Sequence, residues 1–278
     1  MTTLDIGPCS AQTFDLRTVD LLLTTTRSVR KRLDLERPVA REVNEECLDL
    51  ATYAPNAEDR QNWRWYVITD PERRQIVADY YWLSWIGHGT SNTGRRRSRW
   101  RDPRKNEQTH DSAAWFATHV AEVPALVIPC VAGRPVSDVE ARALEQAWGV
   151  GSKEKVSPVR LVSDATFYGS IFPAIWSFQL ALRSRGLAST ITSMHLPFHK
   201  LVGEELGIPK NVTQVGLLPV AYLRGDLMGP GRRVPAGEVT IWNEWLRPTI
   251  DSSVRELLLA RARAEKGADA IHQNGGPS

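Results

Sequence analysis

Cysteine is scarce, charge is nearly balanced and no long apolar run occurs in this sequence of 278 residues, and each absence removes a class of protein. The three cysteines, Cys9, Cys47 and Cys130, are odd in number and far apart, with neither metal-ligand spacing nor a disulfide framework. A reducing, cytoplasmic setting is therefore expected. No apolar stretch approaches the roughly 20 residues that a bilayer-spanning helix needs. The opening residues lack the basic start and apolar core of a secretory signal, so a soluble chain with no membrane partner is expected. With 35 Lys and Arg against 32 Asp and Glu, a net charge of +3, the chain is no polycation, and overall charge does not indicate nucleic acid. Also missing are a Gly-x-Gly-x-x-Gly after a strand, a phosphate loop and a Gly-x-Ser-x-Gly elbow, so a separate nicotinamide-binding domain is not expected. His195 and His199 have the spacing of two ligands on one helix face, but no acidic partner completes the pattern and Pro197 interrupts the helix. No metal is expected.

What is present is a core-forming 42% of hydrophobic residues and ten tryptophans, eight of them at 63 to 65, 82 to 85, 100, 115 and 242 to 245. Such aromatics suit the walls of a planar-ligand site and equally suit a large subunit interface. Apolar spacing predicts a helix from Asp15 running into the basic segment that ends at Arg32, and a second from Val39 to Ala54. A strand follows from Trp65 to Thr69, then a helix from Asp70-Pro71 to about Trp85. Residues 87–111, with glycines and the run RRRSRWRDPRK, read as a lid or excursion.

Further along, a helix near Ser112 to Ala121 leads to ALVIPCV, a strand buried on both faces. Helix is expected over Pro135 to Trp148 and loop from Gly149 to Pro158. The strongest helix spans Asp164 to Arg185, apolar nearly all round and closed by Gly186 as a left-handed cap. A helix from Pro197 to Leu206, a strand from Gln214 to Leu223, and a tail helix from Ser252 to Arg263 complete the reading. Helices alternating with a few buried strands argue for an α+β or three-layer α/β domain. The expected parts are an N-terminal arm at 1–14, a domain at 15–248, and a C-terminal helix with a flexible tail at 249–278.

Four segments carry chemistry. Arg27, Ser28 and Arg30 put two guanidinium groups around a hydroxyl at a helix end, a donor set suited to a phosphate monoester. Ala54 and Pro55 end a helix before a polar loop, Asn56, Ala57, Asp59 and Gln61, whose backbone groups are free to face a heteroaromatic edge. Ile191, Thr192 and Ser193 follow the long helix. Gly229-Pro230-Gly231-Arg232-Arg233-Val234-Pro235 is a late basic turn. Against each stands a plainer reading: solvated arginines, a helix-to-strand turn, a β-prone run, a basic surface loop.

In this order the segments resemble the nitroreductase family of flavoproteins, over roughly residues 15–248. The family's usual motifs are Arg-Arg-Ser-x-Arg, Ala-Pro-Ser-x-x-Asn-x-Gln-Pro-Trp and Asn-Leu-x-Leu-Ala-Ala-x-x-x-Gly-Leu-Gly. Departures here are Thr26, Asn56, Asp59, Asn62, Ser177 and Ala188, and Asp59 in particular can only accept hydrogen bonds when ionised. The resemblance implies a small antiparallel-type sheet wrapped by helices, and a homodimer with the long helix around Phe172 in its interface. It further implies FMN held by Arg27, Ser28, Arg30, Pro55, Asn56, Ala57, Asp59, Ile191, Thr192, Ser193, Arg232 and Arg233. NADPH or NADH would reduce the flavin, which would pass electrons to a nitroaromatic, quinone or related conjugated molecule. The redox chemistry would be the cofactor's, with no side chain as essential acid or base. Alternatives within the fold are flavin sequestration and specialised biosynthetic chemistry, such as heterocycle dehydrogenation. The basic residues at 95–105 around Trp100 are also what a nucleic-acid surface would show, a less favoured reading than a lid over the substrate.

Overall fold

The apolar run at 125–132 forms β2 (Ala125–Ala132), the strand on which the sheet is assembled. The computed structural model describes residues 14–90, 103–149, 157–226, 228–231, 233–243 and 245. β1 (Trp63–Ile68) pairs antiparallel with one edge of β2, setting Trp63 opposite Val131 and Ile68 opposite Leu126. The other edge is shared by β4 (Val212–Gln214) and β5 (Leu218–Tyr222), and β3 (Leu187–Ser189) pairs with β5. Every ladder is antiparallel, in the order β1-β2-β5-β3 with β4 beside β2.

The helices are α1 (Leu16–Thr25), α2 (Arg41–Ala51), α3 (Pro71–Thr90), α4 (Pro103–His119), α5 (Asp138–Trp148), α6 (Pro158–Ser184) and α7 (His199–Leu206). Successive side chains on a strand point to opposite faces, so β2 feeds two cores. Leu126, Ile128 and Cys130 pack with Val77 and Tyr81 of α3, Phe116 of α4 and Val202 of α7. Ala125, Val127 and Val131 pack with Cys47 of α2 and with Ile171, Ile175, Phe178 and Leu182 of α6. A sheet with helices on both faces is the expected three-layer α+β arrangement.

Several boundaries differ from those the periodicity predicts. The helix expected to enter the basic segment stops at Thr25, because Thr24, Thr25 and Thr26 each turn a hydroxyl back to the carbonyl four residues earlier, at 2.6 Å. Such back-bonding by β-branched residues weakens a helix end. The segment read as one strand from Gln214 to Leu223 is two. Val215 donates to the Pro129 carbonyl at 2.9 Å, and at Gly216 a Cβ would lie 3.2 Å from the Thr192 carbonyl oxygen, so the chain steps out of the ladder to meet Thr192.

The excursion at 87–111 is helical at both ends, in α3 to Thr90 and in α4 from Pro103, a residue suited to the first turn; 91–102 lie outside the described residues. α6 begins at Pro158, inside the expected loop and six residues before Asp164, with the Ser157 hydroxyl capping the Arg160 N–H at 3.1 Å. Gly186, at φ +75°, occupies the left-handed position expected after this helix.

The chain divides into two compact units, residues 1–231 and 232–278. In the second, a 3-10 turn at Ala236–Glu238 precedes Trp242 and Trp245, both exposed. Residues 1–13, with Cys9, and the tail from 246, with the expected helix at 252–263, lie outside the described residues. Cys47 and Cys130 are buried free thiols. No described helix is long and apolar enough to cross a membrane.

Candidate functional site

After the Thr26 cap the chain runs extended along β3. Ser28 forms a parallel bridge with Ser189, Val29 donates to the Ser189 carbonyl at 3.0 Å, and Asp34 donates to that of Tyr222 at 2.9 Å. Extended backbone alternates its side chains, so the buried Val29 anchors the segment while Ser28 stays exposed and Arg30 half-buried on the other side. Arg27 makes one long contact, to the Gly229 carbonyl at 3.4 Å. Among the described residues neither Arg27 nor Arg30 has a carboxylate partner.

The same pairing brings residues 191–193 to this corner. Ile191 leans on the core formed with α6. The Thr192 N–H and C=O are both spent on Leu217, at 3.0 and 2.7 Å, which leaves Thr192 only its hydroxyl; that hydroxyl lies 3.0 Å from the Tyr81 oxygen. Ser193 is exposed, its carbonyl accepts from Leu196 at 3.0 Å, and its N–H has no hydrogen bond among the described residues. A free amide, a neighbouring hydroxyl and two uncompensated guanidinium groups thus share one end of the sheet.

The polar loop stands on α6 instead. Ala57 donates to the Ser170 hydroxyl at 3.0 Å, Trp63 Nε1 to the Ser170 carbonyl at 2.9 Å, and Gln61 N–H to Asn56 Oδ1 at 3.0 Å. Asp59 accepts from Gln61 Nε2 at 2.8 Å. Glu58, Asp59 and Gln61 all sit at positive φ, 55°, 48° and 46°, left-handed conformations that cost non-glycine residues energy and concentrate at functional sites. Among the described residues no hydrogen bond or ion pair joins this loop to 27–30 or 191–193. Arg232 lies outside the described residues, and Arg233 belongs to the second unit.

Two residues absent from the sequence reading belong to the corner. Arg183 of α6 donates to the Thr25 hydroxyl at 3.1 Å and, with Thr26, Arg27 and Ser189, lines a cavity of about 10 Å³, the size one water needs. Its Nε and the Ser189 hydroxyl are buried with no hydrogen-bond partner among the described residues. Arg183 therefore sets a guanidinium beside Thr26, where the motif lacks one. The second is Tyr81. Neither carries a local signal: a basic residue in a helix's last turn is ordinary dipole complementation, and a tyrosine in an apolar helix is ordinary core.

Burial pushes the Tyr81 phenol up, while the Thr192 hydrogen bond and the Arg30 charge pull against it, so it stays neutral near pH 7. Burial likewise raises the Cys47 and Cys130 thiols to about 11 and about 12, which removes thiolate chemistry. No cluster of three or more His, Cys, Asp or Glu among the described residues could hold a metal. Larger hollows lie elsewhere: one of about 450 Å³ beside α7, lined by Lys200, Lys210 and Gln214, and one of about 590 Å³ at Arg134, Pro135 and Leu144. Neither includes a predicted contact residue.

The fold recurs among solved structures at low identity. A BluB-like flavoprotein from Clostridium difficile is 16% identical with TM-score 0.59, over 84% of this chain and 100% of its own. An iodotyrosine deiodinase bound to FMN and 3-iodo-L-tyrosine is 18% identical with TM-score 0.56, over 81% and 98%. An FMN- and NADPH-dependent nitroreductase from Sphingopyxis sp. strain HMH is 20% identical with TM-score 0.53, over 81% and 98%. No curated protein matches the sequence significantly. The model of the nitroreductase family matches residues 23–222, most of the chain and every described segment of the corner, and the protein belongs to that family.

Proposed function

We propose that the protein is an FMN-dependent oxidoreductase that takes electrons from NADPH or NADH and delivers them to a nitroaromatic, quinone or related conjugated small molecule. The observation that carries this reading is the corner where the segment of Arg27 and Arg30, without carboxylate partners among the described residues, is bridged to Ser189, just ahead of the Thr192 hydroxyl and the free Ser193 amide. Two bare guanidinium groups fit a phosphate dianion, and a nearby hydroxyl and amide fit the nitrogen and carbonyl edges of a flavin. Arg183 would add charge where Thr26 offers none. When bound, FMN supplies the ring that accepts hydride; the protein holds the phosphate, orients the ring and keeps the acceptor against it.

A homodimer is part of the proposal. Leu161, Tyr168, Phe172 and Trp176 recur at helical spacing along α6 and are 61%, 37%, 44% and 41% exposed, an apolar stripe that a lone chain leaves in water. A partner covering it could bring its Asn56–Asp59 loop to this corner, which would account for a strained polar loop that, among the described residues, makes no hydrogen bond to 27–30 or 191–193 of its own chain. The two buried free thiols suit a reducing cytoplasm.

The test is turnover. Under nitrogen, FMN-loaded protein should oxidise NADPH or NADH over many turnovers, beyond what its own flavin takes up, only when a nitroaromatic or quinone is present. Loaded protein that is reduced but passes electrons to none of these acceptors would remove the acceptor class from the proposal.

A further inference from the structure

The cavity of about 450 Å³ beside α7 shares no residue with the corner. Its size falls within the roughly 300–1,000 Å³ of small-molecule sites. Val202 and Leu206 of α7, with Ile208 and Val212 after them, pack on the face of the sheet opposite α6, so a subunit seated on the α6 stripe approaches from the other side. Ile208, Pro209 and Val212 give the cavity an aliphatic wall, and its described lining residues include no Phe, Tyr or Trp.

The polar groups of the wall are largely spent within the chain. Gln214, 7% exposed, donates its amide to the His199 carbonyl at 2.8 Å; the Thr213 hydroxyl donates to the Gly133 carbonyl at 2.6 Å and the Ile208 N–H to that of Gly203 at 2.8 Å. Arg134 donates to both Glu140 carboxylate oxygens at 2.8 Å, so its charge is answered. Lys200, Lys210 and Glu204 remain. Among the described residues none of these three belongs to an ion pair, although Lys200 and Glu204 lie one turn apart on α7. Two ammonium groups facing one hollow favour an anion between them, and a single carboxylate leaves one charge unanswered.

We infer that this cavity is a second ligand site, separate from the flavin corner, that takes a small aliphatic organic acid. The carboxylate or phosphate of the acid is held by Lys200 and Lys210, and its carbon chain lies against Ile208, Pro209 and Val212. An ammonium binds either oxyanion as a point charge, without the planar fork that a guanidinium imposes. A wall without aromatic carbocycles or indoles suits an aliphatic chain better than a nucleotide base, which gains most by stacking.

The experiment is isothermal titration calorimetry on FMN-saturated protein, so that the corner is already filled, with glutarate in one arm and glycerol 3-phosphate in the other. Wild type is compared with Lys200→Gln, Lys210→Gln, Glu204→Gln and, as a control for overall charge, Arg17→Gln on α1. All four side chains are exposed, so folding is not at stake. Each lysine variant should weaken the preferred acid about three- to tenfold, between the values for exposed ion pairs and for charged hydrogen bonds. Glu204→Gln should tighten it and Arg17→Gln should leave it unchanged. The arm with the tighter binding identifies the anionic group. No binding of either acid at millimolar concentration, lysine variants that bind as wild type does, weakening in Glu204→Gln, or an equal loss in Arg17→Gln would overturn the inference. Protein that takes up no FMN would overturn the flavin reading alone; the titration then runs unchanged on flavin-free Arg27→Ala protein, whose corner is disabled.

Discussion

The Val29 amide donates to the Ser189 carbonyl at 3.0 Å, and this bond between segments 160 positions apart brings the basic motif to the residues that follow the long helix. Because Val29 is buried and Arg27 exposed, the side chains offered to a ligand are separable from the anchor that places them.

Arg27→Ala and Arg30→Ala should therefore weaken FMN binding with little effect on folding. A hydrogen bond to a charged group contributes about 1.5–3 kcal/mol, so flavin-fluorescence titration should show affinity falling roughly ten- to a hundredfold. The thermal midpoint of the flavin-free protein should stay near wild type. Unchanged affinity in both variants would remove the basic segment from the site.

Stability rests on α6. Phe178 is fully buried, packed with Ile175 and Leu182 against Val127 of β2, and it meets Trp65 at a ring-centroid distance of 5.8 Å. Phe178→Ala should cost about 3–5 kcal/mol through lost burial and a residual cavity, read as a lower urea midpoint with an unchanged slope.

His195 makes stability pH-dependent. Burial pushes its imidazole from 6.5 down to about 4, and the Gln214 side chain beside it only partly opposes that shift. Between those values the unfolded chain binds a proton that the folded chain does not, so stability is full above about pH 6.5 and declines as pH falls toward about 4, by up to about 3 kcal/mol. His195→Gln should flatten the urea midpoint over that window, whatever it costs at neutral pH.

The stripe on α6 predicts the assembly. Phe172→Glu with Trp176→Glu should lower the mass measured by light scattering from that of a dimer to that of one chain, and flavin affinity should fall with it. A dimer that survives both changes would place the interface elsewhere.

Much of the scaffold was legible because its cause is local. β2 reads as a strand buried on both faces because every position from Ala125 to Val131 is apolar, and the end of α6 is marked by Gly186, whose left-handed φ suits glycine. Less was legible where the cause is distant. Nothing near Gln214 shows that the strand breaks at Gly216, since the reason is the approach of Thr192. Glu58, Asp59 and Gln61 take left-handed conformations without being glycine, so composition does not announce them. Arg27, Ser28 and Arg30 were readable as a donor set, whereas their registration with Ser189 and the contacts of Tyr81 and Arg183 are tertiary facts.

The most direct test is the absorption spectrum of protein purified without added cofactor, followed anaerobically as NADPH and then NADH are added. The account predicts oxidised-flavin bands that bleach with one nucleotide or both. Colourless protein that cannot be reconstituted with FMN would contradict it, and bands that no nicotinamide bleaches would contradict its choice of reductant.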